Sequence, residues 1–421
     1  MTTGSGNAAI ALSAAGVLLP WLIVPAAAAA PADETVQMGG DTAHAPVLAA
    51  GVHEVAISDQ AGFFAVERTI PGSTIWVGET VITANPANGD LLLAAVKENG
   101  DDCGWSSPGV VDDLIDDHEF RTGIVNSGDC TDDDVIYIRN EPGSGSNFNG
   151  EHLQVAIWEE PPAEDPSLLP PASTEVRWDG SKREEKGAAT LGTDFGSAPE
   201  LSDGRWQVRV QPGRTALFRV PLAWGQHVQV GLSQPGFADG PGFRDARSVE
   251  VEPLLITPLG GEGAWAEALA SRSGTRAPST SLYVYDSPTT GGAVSPVVQW
   301  RNRSEPTTNP AAFPGTYYVS LRVDGKAELP DVVKDGIDLA LDVQVFGEPG
   351  GEPYAEAAPK LPDLAAARGA KGSDDAGSGS AASSDEPDWG VVGGLGAIAV
   401  GMAAAGGGLL ARWRRVTGRS R

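Results

Sequence analysis

Leu153-Gln-Val-Ala-Ile-Trp-Glu-Glu-Pro161 has a counterpart far downstream in Leu341-Asp-Val-Gln-Val-Phe-Gly-Glu-Pro349. Leu, Val, an aliphatic residue, an aromatic residue, Glu and Pro coincide in one register without a gap. Both stretches have the composition of a β-strand, with branched and aromatic side chains that suit a pleated, half-buried surface. Nearer the start of each region, Phe64-Ala-Val66 matches Phe218-Arg-Val220. These matches are read as a tandem repeat, the alternative being chance likeness among strand sequences.

Working outward, short strand candidates separated by turn signals fill both regions. In the first they are 53–57, 63–69, 74–83, 91–96, 135–139 and 153–158, punctuated by Pro71-Gly72, Asn85-Pro86, Asn88-Gly89, Asn99-Gly100 and Pro142-Gly143. In the second they are 206–210, 216–220, 227–232, 249–257, 281–285, 297–300, 317–323 and 337–346. Many short strands with such punctuation predict a mainly β chain of two tandem β-sandwich modules. The boundaries expected are 52–160 and 174–347, with one short helix at 261–269. A Pro-rich linker, 161–173, should act as a semi-rigid spacer, because proline fixes φ and favours extended geometry. Residues 348–388 are poor in apolar side chains and should form a disordered stalk.

The chain has two cysteines, Cys103 and Cys130, and they predict one disulfide if the region is exported. Asp101, Asp102, Asp129 and Asp132 beside them disfavour thiolates and so argue against a redox pair. Between the cysteines run Asp112-Asp113 and Asp116-Asp117, with Asp132-Asp133-Asp134 just beyond. Clustered carboxylates suit Ca²⁺, but the EF-hand spacing is absent, and the reading is a solvated acidic loop with no assigned metal.

Residues 390–411, GVVGGLGAIAVGMAAAGGGLLA, carry no charge, and Arg412, Arg414, Arg415, Arg419 and Arg421 follow. A run of this length covers a bilayer core as a helix, and the arginines place the tail 412–421 in the cytoplasm. Gly390 and Gly394, with Gly393, Ala397, Gly401 and Ala405 as a second row, would give that helix a small-residue face for a transmembrane partner. Residues 8–25 are apolar and 26–30 are all alanine, so 1–30 reads as a signal peptide, although no Lys or Arg precedes the apolar run. The expected location is the cell membrane, single-pass, with the bulk of the chain extracytoplasmic. The net charge of −27 understates that part's acidity, since all 56 acidic residues precede the span while five of 29 basic ones follow it. Such a surface opposes nucleic acid and anionic lipid.

Phe218-Arg-Val-Pro-Leu-Ala-Trp-Gly-Gln226, Pro314-Gly-Thr-Tyr-Tyr-Val319 and the strand from Leu341 to Phe346 carry a family resemblance. The second module resembles bacterial pre-peptidase C-terminal (PPC)-type domains. With Gly192-Thr-Asp-Phe-Gly-Ser-Ala-Pro-Glu200 added, it is more similar to membrane-anchored surface proteins of actinobacteria. The resemblance covers 190–346 well and the first module loosely. It implies a β-sandwich accessory domain and brings no catalytic residues with it.

Catalytic motifs are missing from the sequence. It has no Gly-x-Ser-x-Gly, His-Glu-x-x-His, Cys-x-x-Cys or phosphate-binding Gly-Lys-Ser/Thr, and its five histidines are scattered. No catalytic, cofactor-binding or metal residue is therefore nominated, and no cofactor is expected. Eleven tryptophans leave two readings, core packing or stacking platforms for glycans. The function expected is binding or scaffolding of a cell-envelope protein, the alternatives being envelope glycan binding or service as a non-catalytic subunit of another surface protein or hydrolase.

Overall fold

The computed structural model describes residues 35–57, 59–83, 91–103, 106–107, 119–142, 152–173, 175–235, 249–263, 265–269, 278–284, 287–304, 311–323, 331–355 and 358–366. The expected signal peptide, membrane span, basic tail and Gly/Ala face lie outside them, as do Asp112, Asp113, Asp116 and Asp117. No helix among the described residues is long and apolar enough to cross a membrane.

The first region folds into β1 (Val36–Gln37), β2 (Val47–Leu48), β3 (Gly51–Ala56), β4 (Gly62–Glu67), β5 (Thr74–Thr83), β6 (Leu91–Val96), β7 (Ser106–Ser107), β8 (Glu119–Asn126), β9 (Val135–Pro142) and β10 (His152–Glu160). The second contains β11 (Glu175–Arg177), β12 (Glu185–Ala188), β13 (Gly204–Val210), β14 (Leu217–Leu222), β15 (His227–Gln234), β16 (Val249–Ile256), β17 (Glu262–Gly263), β18 (Glu267–Leu269), β19 (Leu282–Val284), β20 (Thr289–Val294), β21 (Gly315–Val323) and β22 (Ile337–Phe346). The chain is mainly β, with sheets paired as in a sandwich. A sheet ordered β1-β3-β10-β5-β8-β7 faces one ordered β2-β4-β9-β6 across a core that includes Phe64, Val77, Ile138 and Val155. A sheet ordered β12-β13-β22-β15-β20 faces β14-β21-β16-β17 across a core that includes Phe218, Val230, Val319 and Leu341.

The two halves repeat strand by strand. β10 lies between β3 and β5 as β22 lies between β13 and β15, and β1 runs parallel to β3 as β12 does to β13. The isolated bridge Gly39↔Phe63 recurs as Gly192↔Leu217, and the parallel pair Val47↔Ala65 recurs as Glu200↔Arg219. Ser127 donates its amide to Ile75 O and accepts the Ile75 amide on its hydroxyl, and Ser295 does the same with Val228. These matches correct the sequence alignment of the closing strands. Ile75 faces Glu159 while Val228 faces Val345, so Leu153 corresponds to Leu339 and not to Leu341. A two-residue slip leaves every side chain on the same face of a strand, which is why the sequence pattern did not reveal it.

Other expectations also change. Residues 261–269 are not helical; Glu262–Gly263 pairs with β16 and Glu267–Leu269 with β11. A tight turn with Gly260 at φ +85° forces the chain straight back along β16. Residues 297–300 form no strand, and Trp300–Ser304 is a 3-10 turn. The sheet position is taken by β20 (Thr289–Val294), for which no strand was expected and whose Gly291 and Gly292 are poor strand formers. A β carbon on Gly291 would fall 2.8 Å from Leu282, and one on Gly292 2.5 Å from the Trp178 ring. The acidic stretch also hides a strand, β8, which pairs with β5 along its length.

Cys103 and Cys130 form the expected disulfide, with Cα atoms 5.1 Å apart. Both sulfurs are buried in the first core, where the bond ties the end of the β6 hairpin to the turn after β8. Changing both cysteines to serine should lower the first module's unfolding free energy by about 3.5 kcal/mol on the chain-entropy scale. Non-reducing urea titration measures this, and a loss below about 1 kcal/mol would show that the cross-link is dispensable.

Candidate functional site

The most elaborate polar constellation among the described residues lies where the two sandwiches meet. It begins with strands that are apolar on both faces. In β5, Ile75 and Val77 enter the first core while Trp76 points outward; in β10, Val155 and Ile157 point inward while Ala156 and Trp158 point outward. A sheet with apolar residues on its outer face needs a second layer there. The second sandwich supplies it with Phe195, Leu217, Leu254, Ile256, Leu259, Ala312, Phe313 and Tyr318, which form a third core with Trp76 and Trp158. Phe313 meets both tryptophans edge-on, at centroid distances of 4.8 Å to Trp76 and 6.1 Å to Trp158.

The closest contact uses a turn that both repeats carry but only the second buries. Lys97 and Thr257 each bond to the residue four further on, Asp101 and Gly261, and Gly100 and Gly260 share a positive φ near the turn's apex. In the first module this turn is exposed. In the second it reads Thr257-Pro-Leu-Gly-Gly261, with Leu259 fully buried, and it lies on the first module's outer sheet face. Thr80 Oγ1 donates to Gly260 O at 3.2 Å, and Gly78 is so close that a β carbon on it would stand 1.7 Å from Leu259 O.

At the rim of this core sits Glu160, 2% exposed. Its carboxylate accepts from Trp76 Nε1 at 2.8 Å, Trp300 Nε1 at 3.1 Å, Arg303 through both terminal nitrogens, and the Tyr354 hydroxyl. The Arg303 guanidinium lies 4.1 Å from the Trp300 ring centroid and 5.6 Å from that of Trp76. Burial, reinforced by the Glu160 charge, pushes the Tyr354 hydroxyl well above its usual range, so it remains a donor. Five donor atoms leave a carboxylate no free acceptor site for a substrate proton or a ligand. The chemistry available here is structural: an ion pair and three neutral donors that join both sandwiches and the chain that follows them.

Neighbouring Glu159 is spent in the same way on the first module. Burial raises its carboxyl, but hydrogen bonds from Thr69, Ile70 and Ser73 outweigh that and hold it below the usual carboxylate range.

Two expectations fail at this junction. The linker 161–173 does not hold the modules apart: Glu164 N bonds to Pro353 O, Ser173 N bonds to Asn302 Oδ1, and the sandwiches meet directly. The expected stalk begins as a docked strap. Gly350 N bonds to Trp224 O, Trp158 Nε1 donates to Pro359 O, Gln154 Nε2 donates to Leu364 O, and Leu364 is buried in the shared core. Average composition suggested disorder, yet Tyr354, Leu361 and Leu364 suffice as anchors because the sandwiches supply the rest of the apolar surface. The remainder, 367–388, lies outside the described residues.

No family model matches the chain, and no curated protein matches it in sequence. Among solved structures it is similar to the extracellular domain of ANXUR2 from Arabidopsis thaliana, with 8% identity over 74% of this chain and 86% of that one, at a TM-score of 0.19. It is also similar to the tandem CBM51 modules of a family 98 glycoside hydrolase from Streptococcus pneumoniae, with 9% identity, 69% and 83% coverage and a TM-score of 0.20. The tandem CBM22 domains of a Paenibacillus barcinonensis protein give 11% identity, 71% and 83% coverage and a TM-score of 0.17. These β-rich likenesses are too slight to bear on function.

The sequence singled out the tryptophans without deciding their role. Trp76, Trp158, Trp178 and Trp224 are buried, and Trp206, Trp265 and Trp300 are half-buried and pack against the second core, so the seven described tryptophans contribute to core packing. His227 is half-buried against Phe346, their rings stacked at 5.3 Å, and desolvation lowers its pKa to about 4, which keeps it neutral at pH 7. No group of three or more His, Cys, Asp or Glu poised to hold a metal occurs among the described residues. The junction was missed because its signal is distributed: Trp76 and Trp158 on the polar-expected face of their strands, and a few apolar residues in the stalk composition.

Proposed function

We propose that this chain is a membrane-tethered extracytoplasmic protein whose two sandwiches, locked together, bind or scaffold a cell-envelope partner without catalysing a reaction. The observation that carries the reading is the fully occupied Glu160 centre, in which the most elaborate polar constellation among the described residues is committed to fixing one module against the other. A fixed tandem presents one continuous surface, and preorganisation lowers the entropy lost on binding. A protein partner is favoured over a glycan by the packing of the described tryptophans into the cores. The acidic surface favours a cationic partner, with association that weakens as salt rises. The Gly/Ala rows of 390–411 would add a helix contact within the membrane.

Two measurements test the proposal. Protease added to intact cells should digest the sandwiches and spare a tag fused after Arg421; sandwiches that resist until the membrane is permeabilised would overturn the topology. Cross-linking on intact cells should then yield a defined protein adduct whose recovery falls with ionic strength. Binding of the purified chain to envelope polysaccharide, with no protein adduct, would replace the protein reading with the glycan one.

A further inference from the structure

The first module carries a buried polar pair that its repeat lacks. Glu79 on β5 and Asn140 on β9 point into the core from opposite sheets, 2% and 1% exposed. Asn140 Nδ2 donates to Glu79 Oε1 at 2.9 Å, while Glu79 Oε2 and Asn140 Oδ1 have no hydrogen-bond partner. In the second module the equivalent positions follow from the ladders: Val77↔Val125 matches Val230↔Ala293, and Phe64↔Ile138 matches Phe218↔Val319. Glu79 therefore corresponds to Leu232 and Asn140 to Leu321, both buried in the second core. The sandwich does not require a polar pair at this place, and two leucines fill it.

Two acceptor oxygens left over from one acid and one amide are complementary once a single proton is added. A carboxylic acid and a primary amide can close a ring of two parallel hydrogen bonds, with the acid O–H donating to the amide oxygen and the amide N–H to the acid carbonyl. We propose that Glu79 is protonated in the folded protein and donates Oε2–H to Asn140 Oδ1, making the pair a proton-operated lock on the first sandwich. When the proton is lost, a carboxylate without a cationic partner remains in the core opposite an amide oxygen, and the two repel.

The surroundings offer little compensation. Along the sheet, Glu79 is flanked by Val155 on β10 and Gly123 on β8, and beyond Val155 the same row ends in His53 on β3. His53 Nε2 is engaged with Ala49 O at an exposed site. On the facing sheet, Asn140 is flanked by Leu93 on β6 and Gly62 on β4. Arg121 holds the register position on β8 opposite Val81. Consistent with this setting, burial raises the Glu79 carboxyl to about 8 despite the hydrogen bond from Asn140. The folded form then keeps a proton that the unfolded chain has already released above its ordinary value of 4.5. The contribution of this pair to stability is full below that value, falls as pH rises toward about 8, and levels off beyond.

The test is equilibrium unfolding of the full chain in urea from pH 5 to 9, read by pulsed hydrogen exchange at one labelling pH. Amides of β5 and β9 report the unfolding of the first module. Within the window, the first module's folding constant should fall about tenfold per pH unit relative to E79Q, since one proton is linked to unfolding. E79Q, which can pair amide to amide, and E79L/N140L, which copies the second module, should both lose that component. An E79Q profile parallel to wild type would overturn the proposal. So would a rise in the wild-type midpoint at pH 8 on adding Ca²⁺ or Mg²⁺ that E79Q lacks, because the occupant would then be a metal ion.

Discussion

Replacing Gly78 with valine will part the two sandwiches while leaving each of them folded. The β carbon would stand 1.7 Å from Leu259 O and 2.7 Å from its carbonyl carbon, against main chain that has no rotamer to change. Gly78 lies inside β5, in a strand conformation that valine favours, so the first sandwich has no reason of its own to object. Ordinary overpacking costs about 1–3 kcal/mol. A clash between backbone and β carbon at this distance should exceed that range and is relieved only by withdrawing the 257–261 turn. Withdrawal exposes Trp76, Trp158, Phe313 and Leu259 together, because they share one core. The expected readouts are a larger radius of gyration by small-angle scattering, a red-shifted tryptophan emission, and two unfolding transitions in place of one. Gly40→Ala, where an added β carbon meets nothing within 4 Å, is the neutral control. Unchanged scattering with a single transition would show that the contact is not what holds the modules.

How far the sequence discloses this architecture depends on what kind of signal each part leaves. Long strands bounded by Pro-Gly and Asn-Gly turns are legible, and 74–83, 91–96 and 337–346 coincide with β5, β6 and β22. Short-range alternation also marks the repeat, but its period of two cannot fix register, hence the shift from Leu341 to Leu339. β8 and β20 were hidden because local composition misleads there, carboxylates surrounding one and a Gly-Gly pair in the other being required by tertiary contacts that no local rule contains. The junction is harder still. Trp76 and Trp158 on the outer face of their strands signal a covering layer, yet only the folded chain shows that the layer is the second sandwich and that Tyr354 and Leu364 close it. The disulfide was legible because two cysteines have one possible pairing.

Arg303→Ala should be the most destabilising single truncation at the junction. Glu160 is 2% exposed and the Arg303 side chain 14%, so the pair is largely screened from water. Removing the guanidinium strips two of the carboxylate's five donors and leaves its charge to Trp76, Trp300 and Tyr354, which are neutral. Breaking a buried ion pair from one side typically costs about 3–5 kcal/mol, because the survivor keeps its desolvation penalty without its partner. Arg303 also covers the faces of Trp300 and Trp76, so packing is lost as well as charge. If the cost arises from the stranded carboxylate, Glu160→Gln added to Arg303→Ala should recover part of it, and the two changes should be non-additive by more than about 1 kcal/mol. Urea unfolding of the four proteins in that cycle measures the coupling. Additive losses would mean that the arginine acts through stacking on the tryptophans alone, and the charge at the centre of the junction would then contribute nothing to holding the modules together.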